Sequence, residues 1–182
     1  MSLDDTASPS SPPVNPFTGC DVAEILRERG WLTPEPSPAQ EAWCERAAAL
    51  LGPHTPDRTV LADLLSLVFC YDAHQILASV EAHTVLSRYA ARDVLRELAL
   101  LLLSGGPLTP ERFQEIVTAL KGKLEVRGRE LFHPLRLALA GRSGEGEHDR
   151  VILLLEDAQA AGFARPVKSA RQRIVEFCAA LD

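Results

Sequence analysis

Aromatic residues make up only 5% of this sequence, its four cysteines are scattered, and its apolar runs are short. The longest run, Leu98 to Leu103, falls well short of the roughly 20 residues a membrane helix needs, so no membrane span is expected. Met1 leads into Asp4 and Asp5, not into a basic stretch and an apolar core, so a secretory signal is not expected either. Cys20, Cys44, Cys70 and Cys178 contain no CxxC pair. Zinc sites need closely spaced ligands and disulfide scaffolds a higher cysteine density. The four read as small apolar fillers, reduced in a cytoplasmic compartment, and no metal site is expected.

Catalytic signatures are missing too. There is no GxxxxGK[ST] loop, GxGxxG turn, HExxH pair or GxSxG elbow. His74 and His83 are too far apart in sequence to share a helix face as a ligand pair, and the neighbouring Glu156 and Asp157 diverge around a helix. His133, beside Phe132 and Pro134, reads as a packed or hydrogen-bonded histidine. No residue is assigned a catalytic role: the residues describe a binding module.

What the sequence does have is Leu, Ala, Arg and Glu, within 46% hydrophobic and 24% charged residues. These side chains lose little rotamer freedom in a helix. The charge is uneven. Residues 1–110 hold 7 Lys+Arg against 14 Asp+Glu, a balance of −7, and residues 111–182 hold 12 against 11, a balance of +1. Two stretches are distinctly basic: Lys121 to Arg142, and Arg165 to Arg173. An acidic body with a basic face is compatible with selective RNA binding, which a net charge of −6 alone would argue against.

Along the chain, residues 1–20 are rich in Pro and Ser and bury too little to order themselves, so a flexible tail is expected there. Helices are then expected from a cap at Asp21 to Arg29 and from Ser37 to Leu51. Ser37, Pro38 and Gln40 give a capping box with proline in the first turn. Thr55-Pro56 and Thr109-Pro110 repeat the cap-then-proline start. Further helices are expected at about 72–79, 84–103, 129–140, through Val151 to Gly162, and after Pro166. No alternation persists long enough for a strand. The expectation is all-α, about eight helices in two subdomains, 21–106 and 107–182.

One stretch carries more information than the rest. Leu131-Phe-His-Pro-Leu-Arg-Leu-Ala-Leu-Ala-Gly141, preceded by Lys121-Gly-Lys123, closely resembles the anticodon-binding region of bacterial glutamyl-tRNA synthetases. That family has a Leu-Phe-x-Pro-Leu-Arg-x-Ala-Leu-Thr-Gly element, and Ala140 stands where Thr is usual. Arg171-Gln-Arg-Ile174 falls where the family has a short basic segment. The likeness is strong over about 109–174 and weaker over 21–104.

The resemblance implies an all-helical anticodon-binding fold that binds tRNA, with tRNA(Glu) as the expected partner. It implies that Arg136, in the Pro-Leu-Arg element, contacts an anticodon base, because a guanidinium both stacks and hydrogen-bonds to base edges; the residues alone leave open a salt bridge of Arg136 with Glu130 or Asp149 instead. Lys121, Lys123, Arg127 and Arg129 are then expected to contact phosphates, as are Arg171 and Arg173. In the loop after Gly141, Glu145 and Glu147 stand where the family has small or apolar residues; a carboxylate there can accept from cytosine N4. No HIGH-like or KMSKS-like signature is present. ATP, Mg and the family's glutamate–tRNA ligation therefore belong to a catalytic domain, fused or separate, that this sequence lacks. The rival expectation is a helical protein-interaction module that keeps the fold without RNA. Salt separates the two, since phosphate binding weakens steeply with salt and an apolar interface does not.

Overall fold

The computed structural model describes residues 14–182, which form eleven α-helices and one 3-10 turn, with no strand among them. The helices are α1 (Gly19–Glu28), α2 (Pro38–Leu51), α3 (Arg58–Phe69), α4 (Ala73–Leu77), α5 (Val80–Leu86), α6 (Ala91–Ser104), α7 (Pro110–Leu124), α8 (Arg129–Ala140), α9 (Gly146–Leu153), α10 (Leu155–Ala161) and α11 (Ala170–Leu181). None is long and apolar enough to cross a membrane. Of the expected tail, residues 1–13 lie outside the described residues. Asn15 is already tied to the body, its side-chain amide donating to the Ala48 carbonyl.

Capping chemistry sets most of the boundaries. Ser37 and Gln40 close the expected capping box on α2, and Thr109 caps α7. Two starts differ from the sequence reading. The cap of α1 is Thr18, with Asp21 as its reciprocal partner three residues on; the hydrogen bonds from Thr18 hold the Asp21 carboxyl below its usual value. Asp57, not Thr55, caps α3, because the Thr55 hydroxyl turns back to donate to the Leu51 carbonyl. The helix expected over 84–103 is two helices. Ser79 caps α5, and Ser87 ends it through a backbone bond to His83 and a side-chain bond to Thr84.

Four of the ten aromatics form one cluster. Trp31 stacks on Phe69 at 4.8 Å, and Trp43 and Phe163 meet Phe69 edge-on at 5.7 and 5.2 Å. This cluster joins α2 and α3 to the far end of the chain. Trp43 also donates its indole N–H to the carbonyl of Leu154, the residue separating α9 from α10. One continuous apolar cluster spans the link at 104–107, with α9 and α10 against α2, and α8 and α11 against α6. Cys44 fits its expected filler role, with burial pushing the thiol up to about 11. Cys20 and Cys70 are exposed, which corrects that reading for both.

The largest fully buried side chain is a charged one, Arg173. Its guanidinium donates to the carbonyls of Leu67 and Val68 in the last turn of α3, Leu139 in the last turn of α8, and Lys168. Its flat face lies 4.6 Å from the Tyr71 ring centroid. The Leu67, Val68 and Leu139 carbonyls have no partner within their own helices and sit at the negative ends of two helix dipoles. Burial brings Arg173 down to about 10, so it stays charged at neutral pH. Replacing Arg173 by Met should leave these carbonyls without donors and cost about 3 kcal/mol or more, read as the shift in urea midpoint at unchanged m-value.

Candidate nucleic-acid interface

The basic stretch 121–142 runs from the end of α7, through a tight turn, along α8 and into the loop before α9. Lys121 and Lys123 lie in the last turn of α7, where cations complement the helix dipole. The chain then reverses through two residues of positive φ, Glu125 at 55° and Gly128 at 57°. Val126 is buried between them and fixes the turn to the core. Lys121, Arg127 and Arg129 stay exposed, and none pairs with a carboxylate among the described residues. Lys123 is held by Glu97 of α6 at 2.7 Å.

α8 turns Leu131, Leu135, Leu137, Ala138 and Leu139 into the core and leaves Phe132, His133 and Arg136 half-buried at its edge. Pro134 has no N–H to give to the Glu130 carbonyl one turn back; Glu130 is exposed, so water can serve that carbonyl. The Phe132 ring has the Arg136 guanidinium 4.7 Å and the Lys121 ammonium 5.6 Å from its centroid. Arg136 meets Asp149 of α9 side-on, Nε to Oδ1 at 2.7 Å and Nη2 to Oδ2 at 2.9 Å, and Nη1 donates to the Gly144 carbonyl at 3.0 Å. Three of its five N–H groups are thereby used, leaving one on each terminal nitrogen.

The loop that closes this side of Arg136 is itself held from three directions. Gly141 ends α8 at φ 86°, and a Cβ there would also press to 3.3 Å from Ile76. Arg142 forms a two-bond pair with Asp63 of α3. Glu81 of α5 accepts from both the backbone and the hydroxyl of Ser143. Gly144 packs so closely on His148 that any Cβ would overlap the imidazole.

His133 carries a further contact that charge counting along the sequence did not single out. Its Nδ1 lies 3.1 Å from Nη1 of Arg88, in the turn between α5 and α6. Arg88 has no carboxylate partner among the described residues. Burial, reinforced by Arg88, Arg129 and Arg136, lowers the His133 pKa, so a neutral ring accepts from the guanidinium.

The second basic stretch has another use. Arg165 donates to the Phe69 carbonyl, Lys168 to the Tyr71 carbonyl, and Arg171 to the carbonyls of Leu103 and Gly105 at the end of α6. Arg173, expected to contact phosphate, is fully buried and has no surface to offer RNA. Arg171 is exposed but engaged as a helix cap. Among the described residues no group of His, Cys, Asp and Glu is arranged to hold a metal ion.

His133 and His148 are both held below the ordinary histidine value, burial being the leading cause in each. The Nδ1 of His148 is buried without a partner among the described residues. Because the folded values are lowered, the unfolded chain binds protons first. Their contribution is complete above about pH 6.5 and lost as pH falls through the folded values. Tm should therefore drop between about pH 7.5 and pH 5, and the drop should shrink in His148→Gln, measured by thermal melts across that range.

Residues 21–149 match the family described as the anticodon binding domain. Glutamate–tRNA ligase 2 of Syntrophus aciditrophicus (strain SB) is 30% identical over 125 residues, covering 69% of this chain and 24% of that protein. Glutamate–tRNA ligase of Exiguobacterium sibiricum is 27% identical over 131 residues, covering 72% of this chain and 27% of its own. The chain thus spans about a quarter of the length of the curated relatives it matches. No solved structure matches. The matched segment takes in α7, α8 and Asp149, and leaves Arg171 and Arg173 outside.

Proposed function

The chain belongs to the anticodon binding domain family, and on that premise we propose that it binds tRNA through the α7–α8 face, with Arg136 against an anticodon base. The observation that carries this reading is the Arg136 guanidinium itself. It is clamped by Asp149 and Gly144 and backed by the Phe132 ring, and it keeps an N–H on each terminal nitrogen. With its charge paired to Asp149 and its side chain 11% exposed, Arg136 has its remaining N–H groups, not free charge, to offer a base. Exposed Lys121, Arg127 and Arg129 lie along the same helix-turn-helix and suit the phosphates flanking such a base. Lys123, turned to Glu97, contributes less, and Arg173 drops out of the set.

The cognate RNA in this reading is tRNA(Glu), by likeness to the two ligases. The chemistry that joins glutamate to it, with ATP and Mg, falls to a synthetase catalytic domain, fused or separate. The protein-interaction reading draws on exposed Leu100 and Leu103 of α6 and Val175 of α11, on two helices that pack together.

Binding of the chain to tRNA(Glu) and to an unrelated tRNA, at low and moderate salt, separates the two. Salt-sensitive binding that prefers tRNA(Glu) is the expected result; no binding at low salt would favour the protein-interaction reading. Arg136→Ala should weaken the complex by about 1–3 kcal/mol in a variant whose far-UV spectrum is unchanged. Arg136→Lys should fail to restore it, since an ammonium cannot reproduce the planar fork. Wild-type affinity in a folded Arg136→Ala would remove the base-reading role.

A further inference from the structure

Arg88, in the turn between α5 and α6, is half-buried, and its Nη1 lies 3.1 Å from Nδ1 of His133. A guanidinium only donates, so Nδ1 is the acceptor and the neutral imidazole carries its proton on Nε2. That Nε2–H has no acceptor among the described residues, and it is not a buried atom. The contact thus leaves a solvent-facing N–H on the ring and unused N–H groups on the guanidinium. Other arginines spend their charge within the fold. Arg136 and Arg142 meet carboxylates, and Arg171 and Arg173 meet helix-end carbonyls. Arg88 meets neither among the described residues. Glu145 acts on the His133 ring but forms no ion pair with Arg88. A cation partly withdrawn from water and bonded only to a neutral ring lacks the anion that would offset its lost hydration.

We propose that Arg88 and the Nε2–H of His133 together bind a backbone phosphate of the bound RNA, beside the Arg136 base contact. The proposal rests on the tRNA-binding reading and adds to it a contact from the α5–α6 turn, outside the α7–α8 face. His133 stands three residues before Arg136 on α8, the spacing of neighbours on one helix surface, about 5–6 Å between Cβ atoms. Two such contacts can therefore serve adjoining parts of one strand. The chemistry of the pair selects the phosphate. A base edge mixes donors and acceptors, whereas this pair presents donors alone, with a full positive charge behind them. Arg136, neutralised by Asp149, has no such charge to give. His133 acts here in two ways: its Nδ1 holds Arg88 in place, and its Nε2–H adds a second donor to the same anion.

The test measures Kd of the whole chain for tRNA(Glu) and for an unrelated tRNA over a range of salt, with Arg88→Gln, Arg88→Lys and His133→Phe. Arg88→Gln should bind roughly tenfold more weakly, the scale of one hydrogen bond to a charged group. The loss should be the same factor for both RNAs, with the slope of log Kd against log salt lowered by about one. Arg88→Lys keeps the charge, so its slope should match the wild type. His133→Phe fills the ring volume without either nitrogen; it should bind about threefold or more weakly at the wild-type slope. Arg88→Gln binding within twofold of the wild type at an unchanged slope would overturn the phosphate contact while the tRNA reading stands. A loss confined to tRNA(Glu), or one that comes with a lower melting temperature and an unchanged slope, would overturn it too. Wild-type affinity in His133→Phe would remove the ring and with it the paired site. If the wild-type chain fails to bind either RNA even at low salt, the phosphate contact and the tRNA reading both fall.

Discussion

The buried guanidinium of Arg173 is the constraint around which the rest of the bundle is arranged. Helices that end inside a protein bring unpaired carbonyls with them, and here the last turns of α3 and α8 end close together beneath α11. A single planar cation reaches carbonyls of both and lies flat on Tyr71, whose hydroxyl in turn donates to the Ala138 and Arg173 carbonyls. An apolar residue could fill the volume but could not satisfy those oxygens. Placing α8 in this way places the α8 edge that carries Phe132, His133 and Arg136.

The same physical logic distributes the remaining basic residues. Arg165, Lys168 and Arg171 spend their donors on carbonyls at or just beyond helix C-termini, so the C-terminal basic stretch organises the fold. The stretch from 121 to 142 divides. Lys123 and Arg142 tie neighbouring helices through Glu97 and Asp63, whereas Lys121, Arg127 and Arg129 face outward. Counting charges along the sequence treats all of these alike; only packing sorts the cations that join helices from those offered to a ligand.

The helical class was legible because apolar spacing and caps agree through most of the chain, as at Ser37-Pro38-Gln40 and Thr109-Pro110. It became illegible where a polar side chain had two possible uses. Thr55 looks like a cap, yet its hydroxyl serves the preceding helix; Asp21 looks like a cap and is the reciprocal partner of one. At the break between α9 and α10 the Leu154 carbonyl accepts both from Ala158 of α10 and from the indole of Trp43, more than a hundred residues away, a contact that no local pattern announces. The site shows the same pattern. The Pro-Leu-Arg element pointed to Arg136 directly. Arg88, isolated in a run that looked continuously helical, gave no local signal; its place beside His133 follows from how α5 and α6 meet α8. The burial of Arg173 was equally invisible, since an arginine in a basic run reads as surface.

The loop after α8 is fastened to α3 by Arg142, to α5 by Ser143, and to Arg136 by the Gly144 carbonyl. Arg136 is fastened in turn to α9. The attachments meet at one guanidinium, so an alteration as distant as Asp63 on α3 or Glu81 on α5 would be felt at Arg136 through the loop between them.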